Sequence, residues 1–146
     1  MEPAAASLHG GQQMNFDEFT GHVQNRLELA NTGESVRAVR ATLTTLGERL
    51  QEGEAEDLAG PLPMEIDRYL LEADSGQRFG FDEFVNRVAE REGMTDPDDA
   101  ADAAFHAQAI VALVDEVAPA GEMEDVRAQL PEEYERLFEL TDGQPE

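Results

Sequence analysis

GEAEDLAGPLP, Gly53 to Pro63, returns as GEMEDVRAQLP, Gly121 to Pro131, and the reading of that pair decides the fold. Each copy opens on glycine, places acids at its second, fourth and fifth positions, and closes on Leu-Pro. Acids behind a glycine suit the start of a helix, where unpaired amides and the macrodipole favour negative charge. A proline then suits the first turn of the next helix, where its missing N–H costs nothing. Upstream of each copy lies a second shared stretch, Phe16-Asp17-Glu18-Phe19 and Phe81-Asp82-Glu83-Phe84. The offset grows only from 65 to 68 residues between these motifs, so one helical unit is duplicated with small loop changes. Recurrence marks architecture before chemistry.

The flanking residues fill in the unit. Asn15 and Glu18 form a capping box for a first helix whose apolar face is Phe16, Phe19, Val23, Leu27 and Ala30. Asn31-Thr32-Gly33 ends it, and Val36, Val39, Leu43, Leu46 and Leu50 predict a second helix over Glu34 to Gln51. Gly53 caps a short third helix, and Pro63 starts a fourth with Ile66, Tyr69 and Leu70 inward. Asp74-Ser75-Gly76-Gln77 is the joint between units. In the second copy Phe81, Phe84 and Val88 line the first helix. Asp96-Pro97-Asp98-Asp99 is a cap, an N1 proline and an acidic first turn for a long helix to about Val117. Gly121 opens the short helix, and Pro131 opens the last with Tyr134, Leu137 and Phe138 inward. No segment alternates as a strand would.

The expectation is an all-α fold of two tandem four-helix units, about eight helices, related by a pseudo-twofold and sharing one core. A unit of about 65 residues is marginal alone, and packing against its twin supplies the missing core. Residues 1–13 read as a disordered leader or tag remnant. A single domain then covers 15–140 as repeats 15–74 and 79–140, with a frayed tail over 141–146.

The charge is extreme: 33 acids face 10 bases, a net charge of -23, and every base is arginine. The acids are interleaved with Phe, Leu, Val and Ile, which separates this chain from a disordered acidic tail. Such a surface repels itself at low salt, while at about 1 M salt the Debye length falls to roughly 3 Å. Arginine keeps a charge that pairs bidentately with carboxylates. These features point to a halophilic, cytoplasmic protein. With no cysteine, disulfides and thiolate chemistry are excluded. The longest strictly apolar run, Ala109 to Val114, is much too short to span a bilayer.

The order FDEF-x3-V, a long helix ending near Gly-Glu-x-Glu-Asp, then Leu-Pro-x-Glu and an aromatic or aliphatic pair, resembles the domain of unknown function family 2267. The resemblance covers about Asn15 to Leu140. It implies an all-helical fold and a source typical of halophilic archaea and bacteria, and it carries over no catalytic residue.

Candidate sites each have a plainer structural reading. Glu18 with His22, and Asp102 with His106, have chelating spacing on a helix. Yet His22 is matched by Arg87, giving an ordinary Glu83–Arg87 surface pair, and His106 falls on the apolar stripe as a core-edge histidine. His9 lies in the leader. The run Asp96, Asp98, Asp99 and Asp102 lacks the glycine and the distal glutamate of a calcium loop. Arg26 recurs as Arg91 and Arg68 as Arg136; the latter two are expected to reach the short-helix acids Asp57 and Asp125. No phosphate loop, nucleophile elbow or zinc motif is present. Ser7, Ser35 and Ser75 have no base beside them. Phosphate contacts need a basic stripe, which disfavours nucleic acid.

No catalytic, cofactor-binding or metal-ligating residue is therefore assigned, and no cofactor is expected. The reading is a non-catalytic module for protein–protein interaction or self-association, with a homodimer or other protein partner, no nucleic acid, no membrane, and weak surface cation binding. The alternative is an enzyme or small-molecule binder with a pocket between the repeats, built from Arg40, His106 and Tyr69. The charge alone makes one prediction: the melting temperature rises steeply from low salt to molar potassium chloride. A melting curve indifferent to salt refutes it.

Overall fold

A computed structural model describes residues 14–142. Residues 1–13, read above as a leader, lie outside the described residues, as do 143–146. Among the described residues stand eight α-helices, one 3-10 helix and no strand.

Local signals explain most boundaries. The Asn15 side chain accepts from the Glu18 amide at 2.8 Å while the Glu18 carboxylate accepts from the Asn15 amide at 3.0 Å. This capping box opens α1, Phe16–Leu27. Helix α2 spans Thr32–Arg49, starting before the expected Glu34 because Asn31 caps it by accepting from the Glu34 amide at 2.9 Å. Helix α3 is Glu52–Ala59 and α4 is Met64–Leu71, with Pro63 one position ahead of its expected place inside the helix.

The second repeat follows with α5, Phe81–Arg91, and α6, Asp99–Val117. Pro97 thus precedes α6 instead of opening it, and the Asp99 carboxylate folds back to accept from the Asp96 amide at 3.0 Å. Helix α7, Glu122–Gln129, follows Gly121, whose φ of 91° belongs to glycine. The last element differs from expectation. It is a 3-10 helix, Glu132–Phe138, continued by the short α8, Glu139–Asp142. Three residues per turn align Tyr134 with Leu137, and both are buried. The Tyr134 hydroxyl also donates to the Phe79 carbonyl at 2.8 Å, tying this segment to the entry of α5. Asp142, in the stretch expected to fray, accepts from Arg127 at 2.7 Å.

One apolar cluster draws on both repeats. Its centre is α2 and α6, where Leu43, Leu46, Ile110, Leu113 and Val114 are fully buried. The edges of Phe81 and Phe84 meet the Tyr134 ring in T-shaped contacts, with centroids 5.6 and 5.8 Å apart. Between repeats, α1 packs on α6 and α5 packs on α2. Two ion pairs run along these contacts in exchanged fashion. Arg26 reaches Glu116 at 2.9 Å, and its repeat counterpart Arg91 reaches Glu48, the counterpart of Glu116, at 2.7 Å.

Glu48 is the stronger junction. It is only 8% exposed and accepts from both Arg87 and Arg91, at 3.0 and 2.7–2.8 Å. The expected Glu83–Arg87 pair also forms, at 2.9 Å, so Arg87 links the surface of α5 to α2. Burial pushes the Glu48 carboxyl up, but bonds and charge from Arg91 and Arg87 outweigh it and hold the group below the usual glutamate range. A lowered folded-state pKa contributes stability that is present above the unfolded value and is lost as pH falls through the folded one. Glu48→Gln should therefore destabilise the protein by about 2 kcal/mol near neutral pH, with both arginines left to find solvent. Chemical denaturation should show that difference shrinking in acid; equal stability at pH 7 would contradict the junction's role.

Candidate functional site

Gly33, Val36, Arg37, Arg40, Ala41 and Thr44 recur at threes and fours along one face of α2. Tyr69 from α4 and Arg91 from α5 stand against that face, and together they border a cavity of about 550 Å³. An adjoining hollow of about 450 Å³ shares Arg40, Thr44 and Tyr69 and adds Arg68 and Glu72. Gly47 is what brings α4 this close. A Cβ there would lie 2.8 Å from both the Leu70 carbonyl oxygen and the Ala73 Cβ. The absent side chain thus lets α4 settle on α2 and sets Tyr69 beside the cleft.

Four of the ten arginines surround this cleft, and they divide into two kinds. Arg91 is committed to Glu48 and donates to the Thr45 hydroxyl at 2.8 Å. Arg68 pairs with Glu72 at 3.5 Å, both well exposed. Arg37 and Arg40 have no carboxylate within ion-pair distance among the described residues. Two solvated guanidinia sharing one helix face and opening onto a cavity can receive an anion with bidentate hydrogen bonds.

The structure gathers some expected residues and separates others. Arg40 and Tyr69 line the same cleft. His106 does not join them; its Nδ1 lies 2.9 and 3.1 Å from the Glu92 carboxylate oxygens. Its partner is therefore Glu92 and not Asp102. The cleft is lined almost wholly by the first repeat, with Arg91 the one residue from the second. Arg37 and Arg91 were missed as lining residues; the spacing of Val36, Arg37, Arg40 and Ala41 was the available signal. The expected reach of Arg68 and Arg136 toward Asp57 and Asp125 is overturned. Arg68 turns along its own helix to Glu72, and the Arg136 guanidinium lies 5.0 Å from the Phe81 ring centroid.

The GExED acids open α7 behind Gly121, as expected. Helix α3 instead begins at Glu52 behind Gln51, so Gly53 lies inside the helix and does not cap it, and of that copy's acids only Glu54 falls in the first turn. The two copies also meet, which linear sequence did not show. Helices α3 and α7 pack together, and carboxylate oxygens of Glu54, Glu122 and Asp125 lie within 4.8 Å of one another. Gln129 donates to Glu54 Oε1 at 2.6 Å, while Oε2 of Glu54 and of Glu122 have no hydrogen-bond partner among the described residues. Burial, and then the charges of Asp57, Glu54 and Asp125, push the Glu122 carboxyl up. The junction concentrates like charge that dissolved cations can screen.

The family described as an uncharacterized conserved protein (DUF2267) matches residues 16–137, and the chain belongs to it. No curated protein matches the sequence. No helix among the described residues is long and apolar enough to cross a membrane.

The acidic junction carries its own prediction. A raised folded-state pKa means that ionised Glu122 opposes folding at neutral pH and that the cost disappears as pH falls through that pKa. Glu122→Gln should stabilise the protein by roughly 0.5 kcal/mol at pH 7, the scale of relieved like-charge pairs. Thermal melts should show the gain fading in acid and in molar salt. Destabilisation at pH 7 would mean that the glutamate is held by attraction.

Proposed function

We propose that this member of the family is a non-catalytic binding module of a salt-rich cytoplasm, with the α2 cleft as its recognition element. The observation that carries the reading is the pair Arg37 and Arg40, without an ion-pair partner among the described residues of so acidic a chain and facing a cavity. The other conspicuous groups have structural occupations that support the non-catalytic part: His106 with Glu92, and Glu54, Glu122, Glu124 and Asp125 in the first turns of α3 and α7. A pseudo-twofold relation between the repeats belongs to the same proposal, supported by the exchanged Arg26–Glu116 and Arg91–Glu48 pairs.

Association with a protein partner or a second copy is the other reading, and one observation favours it. Helix α4, which supplies Tyr69 to the cleft, also exposes Met64 (80%) and Leu71 (48%), seven residues apart and so on one side. A partner resting on that side would cover apolar surface that the acidic chain otherwise largely hides.

Inorganic phosphate, the simplest doubly charged oxyanion, tests the cleft. Titrated in molar potassium chloride, it should shift the side-chain NMR signals of Arg37 and Arg40 saturably, with a Kd on the order of 10 mM. Arg37→Gln with Arg40→Gln should abolish the response and leave the melting temperature unchanged, because neither side chain holds an ion pair among the described residues. A wild-type titration without saturation at these two residues refutes the cleft as a recognition element.

A further inference from the structure

We infer that the cleft takes an organic anion: a doubly charged phosphate or dicarboxylate head on Arg37 and Arg40, with a flat apolar body against Val36, Ala41 and Tyr69. The inference rests on the binding reading above and adds the class of ligand.

Charge comes first. Around the cavity, Arg91 pairs with Glu48 and Arg68 with Glu72, which leaves Arg37 and Arg40 as the two charges with no ion-pair partner among the described residues. Arg37 and Arg40 are three apart on α2, so their Cβ atoms are about 5–6 Å apart and both forks can reach one group. A head with two negative charges matches them. A long polyanion does not, because the remaining surface of a chain with net charge -23 repels it.

Volume comes second. A water takes about 30 Å³ of liquid, so a four-oxygen anion takes on the order of 100 Å³. The cavity of about 550 Å³ is several times larger and falls in the range of small-molecule sites. Its non-ionic wall is suited to a flat body. Ala41 is buried, Val36 is half-buried, and the Tyr69 ring is packed against the core cluster. Aromatic rings accept other flat groups by offset stacking or edge contact.

Salt makes the apolar part necessary. At about 1 M salt, charge attraction is confined to roughly 3 Å, so a bare oxyanion gains only its direct contacts. Apolar burial is not screened, and a body seated on Tyr69 would hold the head in register with the arginines.

Calorimetric titrations in molar potassium chloride with inorganic phosphate, phenyl phosphate and phthalate separate the possibilities. Phenyl phosphate or phthalate should bind about tenfold tighter than inorganic phosphate, and whichever is tighter identifies the head group. Tyr69→Ala should remove that advantage and leave inorganic phosphate binding unchanged. Val36→Ser provides the same test should Tyr69→Ala fail to fold. Arg37→Gln with Arg40→Gln should abolish binding of all three. If the organic anions bind no tighter than inorganic phosphate, or the wall variants leave their advantage intact, the organic body is refuted while the cleft reading stands. If none of the three binds the wild type, both fall.

Discussion

Cations are the scarce component of this chain, and where each of the ten arginines goes decides how the helices are held. In a surface with more than three acids for every base, any guanidinium can find a carboxylate somewhere. The structure spends several of them away from the open surface. Arg26, Arg87 and Arg91 join α1 to α6 and α5 to α2. Arg127 clamps the C-terminal segment through Glu135 and Asp142 and lies 4.7 Å from the Phe138 ring centroid. Arg49 donates to the Phe79 carbonyl at 2.9 Å and faces the Tyr134 ring. The contacts of Arg26, Arg87, Arg91 and Arg49 cross from one repeat to the other, whereas the Arg127 clamp lies within the second.

Such placement couples the halves more tightly than apolar burial alone. Hydrophobic contact is non-directional, whereas an ion pair between α1 and α6, or between α5 and α2, forms in one register only. The exchanged pairs fix the register. Glu48 can meet Arg87 and Arg91 together only when α5 lies against the C-terminal turns of α2, as seen here. Gly47 is its chain neighbour and admits α4 on another side. Consecutive residues of α2 thus anchor the second repeat and position Tyr69 of the first, which ties the cleft's geometry to the integrity of the whole bundle.

What sequence made legible was local or periodic. The Asn15–Glu18 box, the glycine before α7 and the apolar faces of α2 and α5 depend on neighbours within a few residues and stand where spacing puts them. Helix α1, by contrast, stops at Leu27, with Glu28 left-handed, and leaves Ala30 exposed beyond it. What escaped depends on contacts far along the chain. Arg68 and Arg136 occupy matching positions yet take unlike partners, because Phe81 lies beside one and Glu72 follows the other by a turn. The meeting of Glu54 with Glu122 depends on the packing of α3 against α7, which no short window contains. The 3-10 helix is a tertiary override: an interior demand on Tyr134 and Leu137 wins over the local preference for an α-helical turn. Arg37 was passed over since an exposed arginine on a helix looks ordinary until the opposite wall is known.

Duplication supplies a contrast between scaffold and site. At the offset of 68 set by the GExED stretches, Glu48 corresponds to Glu116, Leu46 to Val114 and Ile66 to Tyr134, so charge or apolar character is kept at these three positions. At the cleft the correspondence breaks. Arg37 meets Phe105, Arg40 meets Gln108, and Tyr69 meets Leu137. Phe105 is 43% exposed, and Gln108 donates to the Arg136 carbonyl at 2.8 Å, so the second repeat has other work at these positions. Arg37 and Arg40 are exposed, so packing leaves these positions free to differ between the copies. The proposed anion site uses that freedom on one copy, while the buried positions that hold the bundle together keep their character on both.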